Sequence, residues 1–250
     1  MGFGQRGAWQ PPDNRAMPAP TKLLAFDTST EWLSVAVRHG EHLLSRTSAG
    51  GAQASSSLIP LIQELLAEAG LAMAELDAIA FGRGPGSFTG LRTACSVAQG
   101  LGFGAGVRLL PVDTLHAVAE EARHRFGATR VVALLDARMD ELYAAHYDFG
   151  QPARSEAEPL LLSPEQVQVP PGWALAGNVF AAYGARLPAA TACHEVLPAA
   201  EAMLRLAPEL LAAGGGVPPA QAWPLYVRDK VAQTTEERAA LKATRATGPT

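Results

Sequence analysis

The opening apolar residues of the chain predict a β-hairpin that continues into a third strand. Residues 23–26 are a short apolar run, 27–30 are polar turn formers, and 32–37 return as β-forming residues. After a second turn at 39–41, residues 42–47 predict the third strand. The polar turn at 27–30 is therefore expected at the end of a buried strand.

Two helices and a glycine-rich loop are predicted next. Apolar side chains recur with helical spacing over 57–69, and Ser57 is a suitable N-cap for this helix. A buried strand at 76–81 runs into the glycine-rich loop 82–90. A second helix is predicted over 90–102.

The second half of the chain repeats this mixture of strands and helices. A short strand is predicted at 109–112, a helix at 114–126 and a pair of strands within 131–148. Beyond Gly150 the order of strands is not clear from the pattern, although a further helix is predicted over 199–213.

The apolar run before Asp136 repeats the pattern found before Asp27. Each aspartate follows a buried strand and precedes a turn and a returning strand, and the two aspartates are 109 residues apart. We interpret this as an internal duplication that opens two similar α/β halves. The predicted organisation is a disordered N-terminal extension at 1–20, an N-terminal lobe at 21–112, a C-terminal lobe at 113–231 and a flexible tail at 232–250.

Composition narrows the class of protein. The 250 residues are 48% hydrophobic and 18% charged, with a formal net charge of −4, which is enough apolar material for a sizeable core. The acidic balance argues against a protein that holds nucleic acid by its own basic surface. No apolar run is long enough to cross a bilayer and the first residues lack a signal-peptide pattern, so we expect no membrane association.

The cysteines and histidines form no recognised reactive motif. Cys95 and Cys193 are far apart, the six histidines form no HExxH or HxxxH motif, and no GxSxG elbow occurs. The sequence therefore predicts no metal site and no catalytic residue.

The turn after Asp27 has two interpretations. With Thr28 and Ser29 it resembles a phosphate-binding turn in which the carboxylate orients Mg²⁺ and hydroxyls contact phosphate. It equally fits an Asx or Ser/Thr turn that closes a hairpin. The corresponding turn after Asp136 has no glycine and carries bulky residues, so the second half looks degenerate for nucleotide chemistry. We expect no cofactor, and weak vestigial ATP or ADP binding stays open.

The glycine-rich loop also has two interpretations. Gly84 and Gly86 give the chain an unusual path, and Ser87 or Thr89 is expected to cap the following helix. A helix N-terminus behind such a loop can hold an anion, but the loop matches neither a Walker A nor a dinucleotide motif. A tight strand-to-helix connection explains it equally well.

The helix after the loop has a row of small residues. Gly90, Ala94 and Ala98 recur every four residues, so another backbone can approach this face closely. The approaching element is either the sheet of the same lobe or a helix of a partner, and the pattern alone does not decide.

Four segments in this order resemble the TsaB (YeaZ) family: LLAFDTSTEWLSVAV, AFGRGPGSFTGLRTACSVAQGLG, PVDTLHAVAEEA and LLDARMDELYAAHY. The glycine-rich segment is the most specific, and PLYVRDKVA is similar to the closing segment of that family. The resemblance covers residues 22–231. It implies an α/β protein with the duplicated actin/hexokinase/Hsp70-like (ASKHA) fold.

The resemblance also implies a function. Members of this family act in the cytoplasm as non-catalytic scaffold or activator subunits that pair with the catalytic paralogue TsaD and work with the ATPase TsaE. The complex transfers a threonylcarbamoyl group to the adenosine 3′ of the anticodon in tRNAs that read codons starting with A, and tRNA is reached through the complex. The alternatives are a small-molecule kinase or ATPase of the same superfold and an RNA-binding module.

The family contact with TsaD implies an interface on the two helices predicted at 57–69 and 90–102. Without TsaD, the same face predicts a homodimer. The loop 51–57 contains no histidine, so the HxxxH of TsaD is absent. The interface residues expected from this resemblance are Leu58, Leu61, Leu65, Gly90, Ala94 and Ala98.

Overall fold

The structure is a computed structural model that describes residues 22–150 and 158–228. The extension predicted at 1–20 and the tail predicted at 232–250 lie outside the described residues. The strands are β1 (Lys22–Asp27), β2 (Trp32–His39), β3 (His42–Ala49), β4 (Ala78–Gly84), β5 (Leu109–Asp113), β6 (Arg130–Arg138), β7 (Glu141–Asp148), β8 (Leu160–Leu162), β9 (Ala174–Gly177) and β10 (Cys193–Glu195). The helices are α1 (Ala54–Glu68), α2 (Phe88–Ala105), α3 (Thr114–Phe126), α4 (Phe180–Tyr183) and α5 (Ala200–Ala212).

Two five-stranded sheets have the same strand order. The first sheet runs β3-β2-β1-β4-β5 and the second runs β8-β7-β6-β9-β10. In each sheet a central strand pairs antiparallel with the next strand of its hairpin and parallel with a later strand. The predicted duplication is confirmed, and β6 with its Asp136 is the counterpart of β1 with its Asp27.

Helices α3 and α5 each pack against a sheet that does not directly precede them in the chain. Helix α3 follows the first sheet in the chain, yet its apolar face packs with Val131, Ala133 and Tyr147 of the second. Helix α5 follows the second sheet and packs on the first, next to Leu23 and Ala36. The predicted lobe boundaries stay a prediction, and the packing adds that α5 contributes to the core of the first lobe.

A buried ion cluster joins these two helices. Glu120 of α3 is fully buried and accepts hydrogen bonds from Arg123 on its own helix and from Arg205 of α5, at 2.6 and 2.8 Å. Arg205 also donates to Glu121. Removing one partner of such a buried pair leaves an uncompensated charge, so the crossing of α3 and α5 is fixed electrostatically as well as by packing.

Helices α1 and α2 cover the opposite face of the first sheet. Helix α1 begins at Ala54, earlier than the predicted start at Ser57, because Ala54 is buried and extends the packed part of the helix. Pro60 consequently lies inside the helix, where it cannot donate to the carbonyl of Ser56. Helix α2 begins at Phe88 and ends at Ala105, and it is capped by Gly106, which has a φ of +70°.

The row of small residues on α2 faces the protein's own core. Ala94 and Ala98 are fully buried among the side chains of the first sheet and α1. A Cβ atom on Gly90 would lie 1.8 Å from the carbonyl oxygen of Thr28. The row therefore serves close packing onto the sheet of the same lobe, which is one of the two alternatives that the sequence left open.

The residues predicted for a partner interface differ in their exposure, and the interface itself stays a prediction. Leu58 and Leu65 of α1 are fully buried together with Gly90, Ala94 and Ala98 of α2, whereas Leu61 is partly exposed. The apolar spacing that marks one face of a helix identifies the face toward its own sheet first. The outer faces of the two helices, which include Ile59 and Phe103, are exposed.

We expect Ala94→Glu to unfold the protein rather than to affect a partner contact. The carboxylate would be buried without a counterion, which costs several kcal/mol. Thermal unfolding followed by circular dichroism measures this. Ser96→Glu, on the exposed side of the same helix, is the matched control and should leave the melting temperature within a few degrees. Equal melting temperatures for the two variants would contradict the packing described here.

Candidate functional site

A cleft lies between the two duplicated turns. It has a volume of about 420 Å³. One wall is formed by the β1–β2 turn and the start of α2, and the other by the β6–β7 turn and the segment 225–228. The cleft therefore occupies the place where nucleotide phosphates would be expected from the sequence.

Asp27 of the first turn is buried rather than open to the cleft. Its side chain is 1% exposed, and its Oδ1 accepts hydrogen bonds from the amide and hydroxyl of Ser29, at 2.8 and 2.6 Å. Oδ2 has no hydrogen-bond partner among the described residues. Thr28 is also buried, and its hydroxyl donates to the carbonyl of Gly90 at 2.7 Å. The turn is thus the Asx-type closure that the sequence allowed as an alternative.

The glycine-rich loop packs directly on this turn. A Cβ atom on Gly82 would lie 1.8 Å from Oδ2 of Asp27, and one on Gly86 would lie 2.7 Å from the Ser29 side chain. The amide of Ser87 donates to the carbonyl of Ser29 at 2.7 Å. These glycines allow the two backbones to touch, so the loop is a close-packed connection at these positions.

The predicted caps of α2 differ from the structure. Ser87 occupies the N-cap position, but its hydroxyl makes no capping hydrogen bond within the described part of the chain. Thr89 lies inside the first turn, and its carbonyl accepts from the hydroxyl of Thr93. Gly84 has a φ of +123° and lies against the carbonyl of Leu225, which leaves no room for a side chain.

Burial raises the pKa of Asp27 to about 6, against which the hydrogen bonds from Ser29 act. A carboxylic acid with a raised pKa in the folded state binds protons more tightly than in the unfolded chain. The contribution of Asp27 to stability is therefore fully present below the unfolded pKa near 4, and it is lost as the pH rises through about 6.

The second turn adopts a conformation that is rare for residues with side chains. Arg138, Met139 and Asp140 all have positive φ angles, of 61°, 57° and 66°. Each such residue costs about 1 kcal/mol or more relative to glycine. Asp136 accepts hydrogen bonds from the Arg138 amide and from the Tyr183 hydroxyl, at 2.8 and 3.0 Å.

Two arginines hold this turn in place. Arg228 donates to the carbonyls of Ala137 and Arg138, at 3.1 and 3.3 Å, and to Glu141 at 2.7 Å. Arg186 binds both carboxylate oxygens of Asp140. Sequence reasoning did not assign these roles. The signal for Arg228 was the PLYVRDKVA segment, whereas nothing local marked Arg186.

The two turns differ from an open, glycine-lined phosphate cradle. Asp27 is covered by the glycine-rich loop and cannot reach a metal ion in the cleft. The second turn presents Arg138 and Met139 where a cradle of backbone amides needs glycine. Among residues 22–150 and 158–228, no cluster of three histidine, cysteine or acidic side chains could hold a metal ion.

The fold and this cleft define the class of protein: a duplicated actin-like α/β chain whose first turn is covered by its own glycine-rich loop and whose second turn carries side chains in place of glycine. The profile of the family described as TsaD, tRNA N6-adenosine threonylcarbamoyltransferase, matches residues 51–232. No helix in the described part of the chain has the length and hydropathy needed to span a bilayer.

Individual relatives specify the family further. The tRNA threonylcarbamoyladenosine biosynthesis protein TsaB of Escherichia coli K12 is 34% identical over 222 residues, which is 84% of this chain and 96% of that protein. TsaB of Haemophilus influenzae is 46% identical over 127 residues, 48% of this chain and 51% of that protein. A solved structure of YeaZ from Pseudomonas aeruginosa is 42% identical with a TM-score of 0.75, and the match covers 82% of this chain and 99% of that one. The chain belongs to the TsaB (YeaZ) family.

We expect Asp27→Asn to remove a pH dependence of stability. The shift of the Asp27 pKa from 3.8 to about 6 corresponds to about 3 kcal/mol lost between pH 4 and pH 7. The amide keeps the acceptor for Ser29 but carries no titrating proton. Urea unfolding at several pH values should show a flatter profile for the variant.

Ser29→Ala is the matched control for this experiment. It removes the hydroxyl that favours the ionised form of Asp27. The loss of stability should therefore extend to higher pH than in the native protein. If Asp27→Asn keeps the full slope between pH 4 and pH 7, the slope comes from another group and the burial argument for Asp27 fails.

Proposed function

We propose that this chain is a non-catalytic scaffold and activator subunit for the formation of threonylcarbamoyladenosine in tRNA. It pairs with the catalytic paralogue TsaD, works with the ATPase TsaE and reaches tRNA through the complex in the cytoplasm. The transferred threonylcarbamoyl group goes to the adenosine 3′ of the anticodon in tRNAs that read codons starting with A. The observation that carries the non-catalytic role is that the glycine-rich loop covers Asp27 of the first turn and that the second turn has side chains where a phosphate cradle needs glycine.

The similar proteins support the proposed role in the formation of threonylcarbamoyladenosine in tRNA. The E. coli relative is named for tRNA threonylcarbamoyladenosine biosynthesis and aligns over nearly its whole length. The profile match to a threonylcarbamoyltransferase family indicates that this chain and the proposed catalytic partner share ancestry. Two homologous chains with the same layer architecture can pair through equivalent helices.

The proposed contact with TsaD lies on the outer faces of α1 and α2. Phe103 of α2 is 64% exposed and Ile59 of α1 is 42% exposed. Exposed aromatic side chains on a rigid helix are typical anchors of protein interfaces. A homodimer through the same faces is the expected state when TsaD is absent.

The decisive experiment is co-expression with TsaD of the same organism, followed by size exclusion and an assay of threonylcarbamoyl transfer from its adenylate to tRNA in the presence of TsaE and ATP. A stable complex, with transfer only when both chains are present, would support the proposal. Transfer by TsaD and TsaE alone, or no complex at all, would overturn it.

Experiments on the isolated chain test the alternative of a small-molecule kinase or ATPase. Calorimetry of the isolated chain with Mg-ATP should give no tight binding, since Asp27 is covered and the second turn has no glycine. Tight binding that Asp27→Ala abolishes would favour the kinase. Salt-sensitive binding of tRNA by the isolated chain would favour the RNA-binding alternative instead.

We expect Phe103→Ser to weaken binding to TsaD about tenfold or more, since an exposed aromatic anchor would be lost. Phe126→Ser removes an exposed phenylalanine from α3, away from α1 and α2, and serves as the control. Affinity is measured by titrating labelled TsaD. Equal affinities for the two variants would place the contact elsewhere.

A further inference from the structure

The extended segment 222–228, called the strap here, has one end on the first lobe. The carbonyl of Ala222 accepts hydrogen bonds from Gln99 and Cys95 of α2, at 2.9 and 3.3 Å. Farther along the strap, the amide of Leu225 donates to the carbonyl of Arg83 at 2.6 Å. These contacts anchor the strap along α2 and the glycine-rich loop.

Contacts among Arg92, Phe88 and Tyr226 also hold the strap on α2. Arg92 of α2 donates to the hydroxyl of Tyr226 at 3.1 Å, and its guanidinium lies 3.8 Å from the ring centre of Phe88. The rings of Phe88 and Tyr226 are 5.2 Å apart. Tyr226 is therefore held against α2, and it lines the cleft.

The other end of the strap lies on the second lobe. Val227 packs against the core that α3 forms with the second sheet. Arg228 reaches the strained β6–β7 turn through the three hydrogen bonds already described and through a contact of 2.8 Å to the sulfur of Met139. An extended segment of seven residues spans roughly 20 Å, so the strap can carry a displacement from one lobe to the other.

The β6–β7 turn, at the second-lobe end of the strap, is sensitive to changes in the contacts that hold it. Three consecutive residues with positive φ persist only when surrounding contacts hold them, so the conformation depends on Arg228 and Arg186. A turn with this strain opens more readily when one of its holding contacts is moved.

We propose that the strap couples the outer face of α2 to the β6–β7 turn, so that binding at α2 changes how firmly this turn is held and thereby the shape of the cleft. The role of α2 as a partner surface rests on the proposed function. The coupling between α2 and the turn is a property of the isolated chain, and it can be measured without a partner.

Hydrogen–deuterium exchange of the full chain tests the coupling. The double variant Arg92→Ala, Gln99→Ala removes two of the three side-chain hydrogen bonds from α2 to the strap without touching the turn, and it should speed amide exchange at residues 137–141 about threefold to tenfold. Arg228→Lys acts directly on the turn and should speed exchange there at least as much, because a lysine cannot reproduce the fork of contacts. Ser96→Ala, on the exposed side of α2, is the control and should leave the turn unchanged.

Local and general effects are separated by a reference segment. Exchange at the β2–β3 turn, residues 39–42, should be the same in all variants, since it makes no contact with the strap. The proposal is overturned if the double variant leaves exchange at 137–141 at the native rate while Arg228→Lys raises it, because the turn would then be held only locally. A rise at both turns in the double variant would also overturn it, since that is general destabilisation.

A second part of the experiment repeats the exchange measurement with TsaD at saturating concentration. Binding should slow exchange at 137–141 in the native chain and in Ser96→Ala, and the slowing should be lost in Arg228→Lys although the complex still forms. A complex that leaves the turn unchanged in the native chain contradicts the coupling alone. Absence of any complex contradicts the proposed function and leaves the result of the first part standing.

Discussion

The contact between the glycine-rich loop and the β1–β2 turn determines what the rest of the cleft can do. Gly82, Gly86 and Gly90 bring two backbones within van der Waals distance, and any side chain at these positions would overlap Asp27, Ser29 or Thr28. The contact seats α2 on the first sheet and buries Asp27 in the same step. A loop pattern that elsewhere presents amides to phosphate is here used for packing.

The sequence allowed the hairpins, the duplication and the position of Asp27 and Asp136 to be predicted, since alternation, turn residues and a repeated strand–Asp pattern are local signals. The direction in which α2 presents its small residues was not predictable, because the same row suits a sheet of the same lobe or a partner helix. Only the packing showed that Ala94 and Ala98 face inward. The first helix was placed too late for a related reason: burial of Ala54 outweighed the capping preference of Ser57.

Features that depend on distant parts of the chain left little trace in the sequence. The positive φ angles of Arg138, Met139 and Asp140 contradict local preference and are explained by Arg186 and Arg228, which lie far along the chain. The ion cluster around Glu120 likewise needs Arg205 of α5. Charged residues within amphipathic helices usually indicate a solvated face, so a fully buried glutamate on α3 could not be inferred from spacing.

The packing of α5 on the first sheet has a consequence for biosynthesis. The first sheet is complete once β5 has been made, but the face that α5 covers stays open until residues 200–212 have left the ribosome. About one hundred residues separate these events, which is roughly 5–20 s of translation. During that interval the nascent chain displays an apolar sheet face that includes Leu23, Ala25 and Ala36. The first half of this duplicated chain therefore cannot complete its fold on the ribosome before the second half has been synthesised.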